Sequence, residues 1–176
     1  MLIDVETPGS TYDVFCRVLR ARGPTLNLLF EQARISPQRE GDTILRDSFA
    51  GAIVNVLYGM LRDYWTSLGA RKEEWKHAGT RVSGYSIAQL LAAAAENSRR
   101  FEDWDREKPS LLAQRRSVKI LCAVLDIPVK NVSKHRPFSG NICWAVLETV
   151  SHGGGYRGVE TQVREFADAL HNSRHD

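Results

Sequence analysis

Residues 43–68 read TILRDSFAGAIVNVLYGMLRDYWTSL. Leu45, Phe49, Ile53, Val56, Met60 and Tyr64 recur at helical steps, and Val54, Leu57, Leu61, Trp65 and Leu68 form a second line beside them. Two adjacent apolar lines make a wide face, the pattern of a long helix buried in the middle of a bundle. The opposite side carries Gly51, Asn55, Gly59 and Arg62. Glycine inside a helix costs up to about 1 kcal/mol relative to alanine. The two glycines therefore predict a neighbouring helix in close approach.

Toward the N-terminus, residues 1–8 read as a flexible leader. Ser10 or Thr11 is placed to cap a helix reaching about Arg22, with Tyr12, Phe15, Val18 and Leu19 on one face. Gly23-Pro24 predicts a stop and a new start, because proline suits a first helical turn. Leu26, Leu29, Phe30 and Ala33 stripe the second helix, and residues 36–42 read as a loop.

Beyond Gly69, residues 71–85 predict a short helical turn and a loop. Ser86 is placed to cap a helix striped by Ile87, Leu90, Leu91 and Ala94, a line that Phe101 and Trp104 continue. Pro109 marks a break, and residues 110–126 predict another helix with Leu111, Val118, Leu121 and Leu125 inward. A long link follows, in which VSKHRPF has room for a brief extended segment. Helices are predicted at 141–151 and 158–170, separated by the glycines at 153–155, and HNSRHD is expected to fray. No stretch sustains strand-like alternation. The expected class is all-α: a single domain over 9–171 built as a bundle of about six or seven helices, with a long central helix at about 43–68 and a frayed tail at 172–176.

The net charge of this 176-residue chain is +3, mildly basic. That permits nucleic-acid contact without requiring it. Cys16, Cys122 and Cys143 are odd in number and form no CxxC pair, so neither a disulfide framework nor a zinc site is indicated. They are expected to fill core space in a reducing cytoplasm. The segment MLIDVETPGS lacks the basic and apolar regions of a signal peptide, and no apolar run approaches membrane-spanning length. A soluble cytoplasmic protein is expected. The chain has no phosphate-binding glycine loop, no HExxH, no paired Glu-x-x-His and no recognisable Ser or Cys nucleophile context. No cofactor or metal is expected.

Charge concentrates around ENSRRFEDWDREKPSLLAQRR, residues 96–116. Phe101 and Trp104 read as core, with arginines and carboxylates on the other faces. The chain then turns basic through Arg106, Lys108, Arg115, Arg116, Lys119, Lys130, Lys134 and Arg136, against only Glu107 and Asp126. Arg99, Arg100, Arg115, Arg116, Lys134, His135 and Arg136 are the candidates for gripping RNA phosphates or an acidic protein partner.

Two Arg/His pairs stand at short spacing: Arg71-KEEWK-His77 and Arg164-EFADAL-His171. With this spacing, a long central helix and flanking charged turns over about residues 43–126, the chain resembles the HEPN (higher eukaryotes and prokaryotes nucleotide-binding) superfamily. Lys72 departs from the polar residue that often follows the family's arginine. The resemblance implies a metal-independent ribonuclease, often a homodimer with its site at the subunit junction, in a toxin or phage-defence role. Arg71 would stabilise phosphate charge and His77 would move protons. Arg164 and His171 are the second-ranked pair. The alternative is a non-catalytic helical interaction module or accessory subunit, which would show an exposed apolar patch instead of an Arg/His cleft. Trp75 and Trp144 are the aromatic candidates for such a patch.

Overall fold

The computed structural model describes residues 9–36, 43–100, 112–128 and 142–174. Seven helices lie among them: α1 (Thr11–Ile35), α2 (Thr43–Ser67), α3 (Lys72–His77), α4 (Ile87–Arg100), α5 (Leu112–Val124), α6 (Ile142–Ser151) and α7 (Gly155–Asn172). A two-stranded hairpin, β1 (Arg81–Val82) and β2 (Tyr85–Ser86), occupies part of the expected loop and pairs Arg81 with Ser86 and Val82 with Tyr85. The all-α expectation holds. The long helix sits where 43–68 predicted it and packs against α1, α4, α6 and α7.

α1 begins with a reciprocal cap. Ser10 Oγ accepts from the Asp13 amide at 3.2 Å, and Asp13 Oδ2 accepts from the Ser10 amide at 3.1 Å. The expected break at Gly23-Pro24 is absent, and one helix runs through both residues. Leu19, Gly23, Leu26, Phe30 and Ala33 form an uninterrupted buried stripe, so packing outweighs the cost of an internal proline. Arg20 and Pro24 both lie on the exposed side, where water can serve the carbonyl that Pro24 leaves unpaired.

Two residues assigned to inward stripes lie outside instead: Val18 on α1 and Leu45 on α2 are exposed. The glycine expectation on α2 divides. A Cβ on Gly51 would come within 2.5 Å of Ser98 Oγ on α4, so that helix does approach closely, whereas nothing stands within 4 Å of one on Gly59.

Asp47 of α2 accepts from the amides of Cys143 and Trp144 at 2.9 and 3.3 Å, capping the first turn of α6 from another helix. Its neighbour Arg46 donates to the carbonyls of Ala33 and Ser36 at 3.0 and 2.8 Å, closing the end of α1, and lies over the Trp144 ring. Ser86 caps α4 as expected, exchanging bonds with Gln89. Between α6 and α7, Gly158 packs so tightly that a Cβ there would lie 2.1 Å from the Ser151 carbonyl oxygen.

The stretch expected to fray is anchored at Arg174. Its guanidinium bonds the carbonyls of Leu68 and Gly69, and reaches Glu74 at 3.2 Å. Basic side chains suit the negative end of a helix, here that of α2. Among the described residues no helix is long and apolar enough to cross a membrane.

Candidate functional site

α3 holds the first Arg/His pair. Arg71 is its N-terminal boundary residue, with a side chain 86 % exposed and Nε 3.7 Å from Glu74 Oε2. His77 closes the helix, with Nε2 3.6 Å from Glu73 Oε2. Six positions apart, they project about 120° from one another. Each is engaged by a different glutamate of its own turn. Glu74 is the hub of this corner. Its carboxyl is held below the usual carboxylate range, chiefly by the Arg71 amide and further by Arg174. Trp75 is not an exposed aromatic: it stacks on Trp65 with centroids 4.7 Å apart and rings 7° from parallel, pinning α3 to α2.

The second pair is also divided. Arg164 turns back to Glu160 at 3.0 Å. His171 stacks on the Tyr12 ring at 4.8 Å, joining the end of α7 to the start of α1. The Tyr12 hydroxyl donates to Asp168, and that bond, with a further one to Cys16, raises its pKa above the ordinary phenol value. Among the described residues no three His, Cys, Asp or Glu side chains converge as metal ligands would.

Of the basic candidates, Arg99 is engaged on its own helix. Its Nε donates to the Ala95 carbonyl at 3.2 Å, Glu96 lies at 3.7 Å, and its guanidinium sits 5.8 Å from the Tyr58 ring centroid. Arg100 ends α4. Arg115 and Arg116 are exposed on α5 with Lys119 nearby, and α5 carries no carboxylate along Leu112–Val124. Lys134, His135 and Arg136 lie outside the described residues, as do Phe101 and Trp104.

The feature the sequence reading missed is apolar. Among the described residues the exposed large hydrophobic side chains are Val14, Val18, Leu28, Ile35 and Leu45, all on α1 or the first turn of α2. Leu28 is 59 % and Ile35 61 % exposed. At 100° per residue, Val14, Val18, Leu28 and Ile35 fall within an arc of about 100° on the outer side of α1. On α2, Leu45, Phe49, Val56 and Met60 fall within about 60° of each other. The two surfaces meet at an open groove of about 220 Å³ lined by Val14, Phe15, Val18 and Met60, with Arg22 and Asp63 beside them. Trp144, the other aromatic candidate, is buried against Phe30 with ring centroids 5.0 Å apart. Comparison with protein-family models, curated proteins and solved structures finds no match to this chain.

Proposed function

We propose that the protein is a helical interaction module, the accessory subunit of a larger assembly, which docks through the outer face of the α1–α2 hairpin. The observation that carries this reading is the concentration of exposed apolar side chains on that face. Scattered surface hydrophobics are ordinary, but here all the large exposed ones among the described residues fall on one pair of helices. The engagement of Arg71 and His77 by separate glutamates supports the same reading, since shared catalysis requires both groups on one scissile phosphate. A photo-reactive amino acid at Leu28, in cells that make the protein, should yield a discrete protein adduct. The same group at exposed Thr161 on α7 should not. Absence of a discrete adduct at Leu28 would remove the docking reading.

A second reading, contact with RNA, is favoured by the unbroken basic composition of α5, which displays Arg115, Arg116 and Lys119. Phosphate contact of this kind weakens steeply with salt. Under this reading Arg115→Glu/Arg116→Glu lowers RNA affinity at least tenfold in a fluorescence-anisotropy titration. A HEPN-like ribonuclease would in addition cleave RNA with chelator present and lose that activity in folded Arg71→Ala/His77→Ala.

A further inference from the structure

The outer face of α1 has a pattern that selects its own occupant. Val14, Val18, Ala21, Thr25, Leu28, Gln32 and Ile35 alternate in steps of four and three, all lie along one side, and all are exposed. That spacing is the seam of a two-helix coil, in which side chains of one helix enter gaps in another. We infer that the face is covered by a second copy of this chain, with α1 antiparallel to α1 about a two-fold axis between Ala21 and Thr25. This rests on the docking reading above and names its partner.

A two-fold interface must complement itself. About that axis, Ala21 falls opposite Thr25, Val18 opposite Leu28, and Val14 opposite Gln32. The strongly exposed Ile35 then lies at the Thr11 end of the groove that Val14, Val18 and Met60 also line. A parallel pair would set Ala21 against Ala21 and leave a gap.

Charge makes the same choice. Arg17 and Glu31 lie on one flank of the seam. In an antiparallel pair like flanks face each other, so Arg17 of one copy meets Glu31 of the next, which is already bonded to Arg34 at 2.6 Å. A parallel pair would gather Arg17, Arg20 and Arg22 of both copies at one end.

The size is adequate. α1 has 25 residues and spans about 37 Å. With α2 packed about 9 Å away, the hairpin offers a face of roughly 700 Å², against about 800 Å² per partner in a standard stable complex.

Sedimentation equilibrium of the purified full chain, from about 1 to about 100 µM, tests this. Wild type should have the mass of two copies. Leu28→Glu, at an exposed position, should give the monomer mass with unchanged circular dichroism. Arg17→Glu and Glu31→Arg should each weaken association at least tenfold, and their combination should restore it. In a Cys16→Ser background, Ala21→Cys/Thr25→Cys should oxidise to a covalent dimer and Val14→Cys should not. A monomeric wild type, or a Leu28→Glu variant that still dimerises, overturns the inference, and failure of the double swap to restore association overturns the antiparallel register. A monomeric wild type together with a Leu28 photo-adduct to a different protein would sink the self-pairing and leave the docking reading standing. Loss of the adduct as well would sink both.

Discussion

Asp47 is an acidic residue on the central helix, half-buried yet aimed at two amide groups at the start of α6. Burial pushes its carboxyl above the ordinary aspartate value, and the bonds from Trp144 and Cys143 only partly offset this. The folded chain therefore keeps this proton to higher pH than the unfolded chain does. Asp47's contribution to stability is fullest below the ordinary carboxylate pKa and declines as pH rises through the raised value. Asparagine retains an acceptor oxygen without the charge. Asp47→Asn should flatten that pH dependence in urea unfolding and cost little at neutral pH, whereas Asp47→Ala should lose about 1–2 kcal/mol. An asparagine variant as unstable as the alanine one would show that the charge itself holds α6. Nothing in the residue order flagged Asp47 for this role, because capping between helices depends on which elements meet and leaves no local spacing to read. The Arg71 and His77 spacing was visible. The glutamates that engage them, at positions 73 and 74, were visible too, but which carboxylate faces which cation is set by the turn of α3.

Among the elements, α2 was legible because its two apolar lines survive any choice of boundary, and the Ser86 cap was legible because it is local. α1 was misread at one dipeptide. Splitting it at Gly23-Pro24 yields two short helices, each with one apolar stripe, and leaves Val18 to be assigned inward. Joined into 25 residues, the same segment shows two stripes on opposite sides, one buried and one exposed. The exposed stripe becomes readable only when the helix is continuous, since it runs from Val14 to Ile35 and each half holds only two of its large apolar side chains. Glycines in or beside helices carry a similar lesson. Gly158→Ala should cost about 3 kcal/mol, because its methyl group would meet backbone that has no side-chain rotation to relieve it. Gly59→Ala should instead stabilise α2 by up to about 1 kcal/mol, its surroundings being open. Thermal melts of both variants test the contrast, and similar shifts in the two would refute it.

Across the whole molecule, the first and last described helices are tied to its middle and to each other. Arg174 fastens the last described residues to Leu68 and Gly69, more than 100 positions earlier. Removing it should loosen α3 as well as the tail. Arg174→Ala is expected to cost about 1–2 kcal/mol and to speed hydrogen exchange at the Glu74 and Trp75 amides, and unchanged exchange there would show that α3 is held by the Trp65–Trp75 stack alone. The tie between Tyr12 and Asp168 crosses 156 positions. A ribosome adding about 5–20 residues per second needs roughly 8 to 30 s to cover that distance. For that interval α1 has α2 but no α7 to lie against, and its outer apolar stripe is open to water and to other chains. Newborn molecules on one message are thus near neighbours while that stripe is bare, which opens it to contact between neighbouring chains during synthesis.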